Sequence, residues 1–342
     1  MNPQRFQQLS SRYRRLRLAV IGDFCLDRYL EIDPKRAEIS IETNLPVHNV
    51  VNVRAQPGAA GTILNNLVAL GIGELYPVGF CGVDGEGFEL LRALEAKDGV
   101  RLDHFIQSPA RRTFTYCKPL VLTPGKPPVE LNRLDSKNWT PAPRAVQEKL
   151  TQSIRRLAAR VDAMIVLDQV DVPETGVVTT RVLQTLRAVN RANPKLPILA
   201  DSRQGLRHFP PLIFKMNAAE LAAFQKSKRK PKLAQAKEFA AQLAKKNRQP
   251  VFVTLAEQGI LAASPAGEVA HAPSLTIRGP IDIVGAGDSV TANLATALAA
   301  GASLPEAIAL ANAAASVVIH QLGTTGTASV KQIRELVCPE AI

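Results

Sequence analysis

Short apolar runs rich in β-branched residues alternate with longer helical patterns along most of this chain. No other feature restricts its possible folds as much. The runs occupy 16–22 (LRLAVIG), 74–80 (ELYPVGF), 162–168 (DAMIVLD), 196–201 (LPILAD), 212–217 (LIFKMN) and 250–255 (PVFVTL), with helical patterns at 62–70, 86–97, 143–160, 174–192 and 232–246. A strand that is apolar on both faces has to be covered on both, and strand–helix–strand crossovers do this by laying helices on each side of parallel strands. The expected architecture is therefore α/β, with a mostly parallel sheet between two helical layers. Residues 24–56 and 101–135 break the rhythm. They alternate polar with apolar residues, as in LPVHNVVNV and RRTFTYCKPLV, without a strong helix, and read as antiparallel strands of a small β-sheet lid. TPGKPP at 123–128 suits a hairpin tip. With no internal repeat and no convincing linker, residues 1–342 read as one domain.

Composition removes several function classes. The longest apolar tract, 292–319, is interrupted by Gly301, Pro305 and Glu306, which argues against a bilayer span, and no secretory segment follows the basic start. A cytoplasmic protein without membrane partners is expected. Cys25, Cys81, Cys117 and Cys338 lie far apart without CxxC or histidine pairing, so neither a disulfide framework nor a zinc site is indicated. His48, His104, His208, His271 and His320 share no spacing that points to catalysis. The net charge of +12 invites a nucleic-acid reading. Much of the excess, however, lies in RYRRLR (12–17) and KSKRKPK (226–232), which lack the interleaved aromatics of single-strand binders. Solvated surfaces, and a general affinity for small anions, fit better than a nucleic-acid partner.

The polar residues recur at one kind of position. Asp23, Asp168, Asp201, Asn217 and Thr254 each fall at or just after the C-terminal end of an expected strand, the edge where open α/β sheets bind ligands. Each alone would pass for a helix cap or turn residue. In DIVGAGDSVTANLA (282–295), PIDIV reads as a strand and SVTANLATALAAG as a helix, which puts Gly285, Ala286 and Gly287 in the turn between them. Free amides and the helix dipole make such a turn an anion hole for phosphate. Asp288 would repel a resting phosphate, but a carboxylate at this point suits a general base that deprotonates an attacking hydroxyl. The alternative is that Asp288 merely starts the helix. Neither GxxxxGK[ST] nor GxGxxG is present, and GDFCLD after the first strand carries Asp23 and Asp27, which suit sugar hydroxyls better than a pyrophosphate. Together these features describe phosphoryl transfer to a polyol.

From about residue 16 to 337 the chain resembles the ribokinase-like (PfkB) carbohydrate kinases, most narrowly their heptose-phosphate kinase branch. GDFCLDRY, PGAAGTILNNLVALG, LNRLD, ILADSR, MNAAE, VTLAEQG, DIVGAGD and ANAAASVVIHQLGTTG occur in that family's order. The resemblance implies a three-layer ribokinase-like fold whose lid pairs two subunits in a homodimer, with ATP and Mg2+ as cofactors and a sugar or sugar phosphate as substrate. It implies Asp288 as catalytic base, Gly285, Ala286 and Gly287 as the anion hole, and Arg203 as a phosphate clamp. Asp23, Asp27, Gly58, Ala59 and Thr62 fall at acceptor positions. Asn217, Glu220, Thr254, Gly259 and Asn312 fall on the nucleotide side, with Glu220 holding magnesium through water. Asp282, with the Val284 carbonyl, matches a monovalent-cation loop that would take K+ in some relatives. Departures at Thr62, Ile283 and Asn293 surround the acceptor and the cation loop. A second reading is a non-catalytic nucleotide or sugar-phosphate sensor descended from such a kinase.

Overall fold

The computed structural model describes residues 1–227 and 229–339. The chain begins with α1 (Pro3–Ser10), enters the main sheet at β1 (Arg17–Gly22) and leaves it at once for the lid strand β2 (Phe24–Ile32). A small hairpin, β3 (Glu38–Ile39) and β4 (Pro46–Val47), precedes the long lid strand β5 (Val50–Ala59). The chain returns through α2 (Ala60–Ala69), β6 (Glu74–Gly82), α3 (Gly85–Glu95) and β7 (Phe105–Ser108), then completes the lid with β8 (Phe114–Val121), β9 (Val129–Glu130) and β10 (Leu134–Ser136). Next come α4 (Arg144–Leu157), β11 (Ala163–Asp168), α5 (Thr180–Ala192), β12 (Ile198–Ser202), β13 (Ile213–Asn217), α6 (Ala218–Phe224) and α7 (Leu233–Asn247). Strands β14 (Val251–Thr254), β15 (Ile260–Ala263) and β16 (Val269–Ala272) precede the last three helices, α8 (Ala286–Ala299), α9 (Leu304–Val318) and α10 (Val330–Val337).

The main sheet has nine strands in the order β16-β15-β14-β13-β12-β11-β1-β6-β7. Every pairing from β14 to β7 is parallel, and β15 and β16 close the other edge antiparallel. Both faces are covered. In β1, Leu18 and Val20 join the core formed with α2, α8 and α9, while Ala19 and Ile21 join the core formed with α4, α5 and α7. Burial of one such apolar side chain is worth about 1.5–3 kcal/mol, so the continuous apolar runs both set and stabilise this three-layer arrangement. The strand order reverses at β1, which lies between β6 and β11, the kind of point at whose carboxyl edge open α/β sheets bind ligands.

The lid is a five-stranded sheet, β10-β8-β2-β5 with β9 on β8. It differs from the expectation in two respects. Strands β2 and β8 run parallel, and β7, within the 101–135 segment, joins the main sheet beside β6. The apolar Phe105 and Ile106 explain the latter, since both pack against the main cores. Two boundaries also move. The segment 174–179 is a loop that precedes α5, with Thr179 as the helix cap. PIDIV forms no strand either: the Asp282 amide donates to the Ile319 carbonyl at the end of α9 (2.8 Å), and the Asp282 carboxylate accepts from the amides of Val284 and Gly323. Those bonds take the place of a strand ladder. No helix of the described residues is long and apolar enough to cross a membrane.

Candidate active site

The site begins at the first turn of α8. Gly285 adopts φ 82°, a left-handed conformation that costs glycine little, and a Cβ there would meet Thr325 Cβ at 3.2 Å. The Ala286 amide is used locally, donating to the Ile283 carbonyl at 3.2 Å. The amides of Gly287 and Asp288 have no hydrogen-bond partner among the described residues, as expected for the start of a helix without a side-chain cap. The free amide donors thus lie one residue further along than the GAG triplet suggests. They point from the end of a helix whose dipole adds positive potential.

Asp288 is half-buried in that turn. Burial pushes its carboxyl up to about 7, Lys215 opposes the rise, and Asp201 and Asp27 add to it. Lys215 is absent from the expected set. It lies in β13 with its Nζ 2.7 Å from Asp201 Oδ2, and the hydroxyl of Thr291, on α8, donates to the same oxygen at 3.1 Å. The signal was present in LIFKMN, where one lysine interrupts an otherwise buried apolar strand.

On one side of this turn lies a cavity of about 710 Å³, lined by Asn217, Thr254, Gly259, Ala286, Gly287 and Asn312 among others, with apolar walls from Leu255, Ile281 and Val290. Six expected residues therefore share one space. Asn217 caps α6: its Oδ1 accepts from the amides of Ala219 and Glu220, and both Glu220 carboxylate oxygens accept from Asn217. This capping box fixes Glu220 next to the cavity-lining Asn217 and Ala219, and burial raises its carboxyl pKa against the opposing Asn217 amide. Asn312 donates to the Pro273 carbonyl at 2.6 Å, which secures the loop after β16. Thr254 is half-buried at the end of β14, and the Gly259 carbonyl accepts from the Leu255 amide at 2.8 Å. Among the described residues no group of three or more His, Cys, Asp and Glu side chains could hold a metal alone. One half-buried carboxylate, each oxygen keeping a second lone pair, suits a magnesium ion that keeps its water and phosphate oxygens.

The lid supplies the other side. Asp27 is buried on β2, with Lys118 Nζ 3.3 Å from its Oδ1. Burial raises the Asp27 carboxyl pKa, against the attraction of Lys118. Gly58, opposite on β5, leaves room for this acid, since a Cβ there would come within 2.4 Å of Asp27 Oδ2. Ala59 turns the chain from β5 into α2 with φ 53°, and Thr62 is buried in the first turn of that helix. Asp23 has a different environment from the one its motif suggested. Its two oxygens accept the amides of Gln169 (2.9 Å) and Val177 (2.7 Å), so it braces the loop between β11 and α5. Arg203 is exposed beyond β12, with Nε 3.5 Å from Asp171, and is not among the residues lining the cavity. Asp282 spends its carboxylate on backbone amides, as described above.

A mostly parallel sheet of this order, with a small β-sheet beside its carboxyl edge, recurs among solved structures. The chain is similar to Arabidopsis thaliana ribokinase solved with ribose and ATP (TM-score 0.69, 18% identity, 94% of this chain and 99% of that one). It is equally similar to Escherichia coli phosphofructokinase-2 with substrates and products (TM-score 0.70, 17% identity, 94% and 98%). At such identities the likeness establishes the fold. Residues 16–331 match the model for the pfkB family of carbohydrate kinases, and the chain belongs to that family. Curated relatives include the bifunctional protein HldE of a Bradyrhizobium strain, 29% identical over 98% of this chain, and that of Pectobacterium atrosepticum, 33% identical over 92%. The chain spans 66% and 62% of the lengths of those two proteins.

Proposed function

We infer that the chain transfers the γ-phosphoryl group of ATP to a hydroxyl of a sugar or sugar phosphate, in line, with Asp288 as general base. One observation carries the reading: a half-buried carboxylate, held up to about 7, directly follows a helix start whose amides are free, between a cavity and the lid acid Asp27. ATP would fill the cavity, with Asn217, Thr254, Gly259 and Asn312 around it and its γ-phosphate on the Gly287 and Asp288 amides. The acceptor would lie beneath the lid near Asp27, Gly58 and Ala59, and Asp23 would act by bracing that floor. As the acceptor oxygen bonds to phosphorus, its proton passes to Asp288, the bond to the bridging oxygen breaks and ADP leaves.

Magnesium bound by the phosphates and, through water, by Glu220 would offset their charge. Arg203 would reach a phosphate only by leaving Asp171. A potassium ion would use the Val284 carbonyl and Asp282, and one solved form of Escherichia coli phosphofructokinase-2 is described as a complex with potassium. The sequence resemblance to the heptose-phosphate kinase branch makes a heptose phosphate the first acceptor to try, in a cytoplasmic setting. On the lid, Val51, Val53 and Leu134 are exposed, at 51%, 45% and 66%, and would be covered in a homodimer. ADP release measured with a panel of sugars and sugar monophosphates tests the reading. Acceptor-dependent ADP supports it, whereas binding of both ligands without turnover would support the sensor.

A further inference from the structure

Among the described residues Lys215 is the buried cation against the α8 turn to which no role has been given. It is 6% exposed, in a strand whose neighbours Phe214 and Met216 are both buried. Its Nζ lies 2.7 Å from Asp201 Oδ2 and 3.3 Å from the place a Cβ on Gly287 would occupy, so the ammonium sits directly against the residue that precedes Asp288. Thr291, one turn further along α8, has its hydroxyl 3.1 Å from Asp201 Oδ2 and 3.0 Å from the Gly287 carbonyl, sharing its single proton between them and so tying the ion pair to the same turn. An ammonium has three donors, and Asp201 accepts only one of them here. A plain structural pair would not need this location, since an ion pair in a protein interior does no better on average than apolar residues of the same size.

We propose that Lys215 is a positioning residue of the transfer site: held by Asp201 beneath Gly287, its fixed charge keeps Asp288 in the ionised form that accepts the proton. The proposal rests on the reading of Asp288 as base. The charge balance around that carboxylate favours it. Asp288 faces Lys215 on β13, Asp201 on β12, and Asp27 and Cys25 on β2. Of these Lys215 alone carries positive charge, and it opposes the burial and both neighbouring acids. Burial works against the ammonium too, but the charge and hydrogen bond of Asp201 together with the charges of Asp288 and Glu220 outweigh it. Lys215 therefore stays charged across the range in which Asp288 titrates. Arg203 offers no substitute while it points to Asp171.

The test compares the unmodified protein with Lys215→Met/Asp201→Asn, a neutral pair of similar size that leaves no buried charge unpaired, and with Lys215→Arg. Steady-state rates are measured from pH 5.5 to 9 with ATP and whichever sugar or sugar monophosphate the unmodified protein turns over. The double variant loses the cation and also the smaller, opposite influence of Asp201, so burial and Asp27 raise the base by the difference. A nearby charge typically moves such a group by about one unit or more, and about one unit is the upper end of that net rise. A rise from about 7 to about 8 lowers the ionised fraction at pH 7 from about one half to one tenth. The double variant should thus turn over up to about fivefold more slowly at pH 7, recover to within about twofold at pH 9, and keep its KM for ATP, with its acid limb shifted upward. Lys215→Arg should keep the limb near that of the unmodified protein. A folded double variant with an unmoved limb would overturn the inference and leave the kinase reading intact. Failure of the unmodified protein to turn over any acceptor would remove both.

Discussion

Asp288→Asn should make the free protein more stable while it removes the proposed base. In the folded chain the carboxyl is pushed from 3.8 up to about 7, so the fold binds a proton there more tightly than the unfolded chain does. Folding is then favoured in acid, and this contribution is lost as the pH rises from about 4 through about 7. A difference of about 3 units at about 1.4 kcal/mol each gives an upper bound on the order of 4 kcal/mol above pH 7, and on the order of 2 kcal/mol at pH 5. A neutral amide of the same shape removes the penalty, although Lys215 then loses one of its neighbouring charges and part of the gain with it. Chemical denaturation of both proteins without ligands, at pH 5 and pH 8, reads the difference. The variant should gain stability by at least about 1 kcal/mol, and gain more at pH 8 than at pH 5. Equal or lower stability at both pH values would mean that the carboxylate is well solvated or favourably paired, and the argument from burial would fail.

Gly58→Ala should raise the acceptor KM by an order of magnitude or more and leave ATP binding nearly unchanged, because the new methyl would lie within 2.4 Å of Asp27 Oδ2; kinetics with each substrate varied in turn would show it. Val53→Asp on the exposed face of β5 should convert a dimer to monomers in light scattering, whereas an unmodified protein that is monomeric at micromolar concentration would exclude the lid interface. Asp23→Ala should cost about 2–3 kcal/mol, since the amides of Gln169 and Val177 lose their acceptors, and should raise acceptor KM by loosening the loop before α5; thermal unfolding and kinetics check both effects.

The main sheet was legible in the sequence because its strands are buried on both faces, and an apolar run such as DAMIVLD has few other uses. The same reasoning misread PIDIV, whose β-branched residues look strand-like although their backbone is held by Ile319 at the end of α9. A contact between residues so far apart leaves no periodicity to read. The residues around the cavity were legible as an ordered set of motifs, but their partners were not. Nothing in GDFCLD reveals that both oxygens of Asp23 are taken by amides some 150 positions later. Arg203 follows a strand end in ILADSR, yet its direction depends on Asp171 in a separate loop. Lys215 escaped notice because a single charge barely changes the average of an apolar strand, and its value lies in Asp201 and the α8 turn, which the fold alone brings to it.

Single-turnover transfer from ATP by the unmodified protein and by Asp288→Asn, with nucleotide affinity measured alongside, tests the central assignment most directly. The unmodified protein should phosphorylate at least one sugar or sugar phosphate, and the variant should bind an unhydrolysable ATP analogue within about threefold of normal while transfer slows by about 10²–10⁴. Transfer at an undiminished rate in the variant would show that the acid beside the free amides takes no proton, and the proposed chemistry would be wrong.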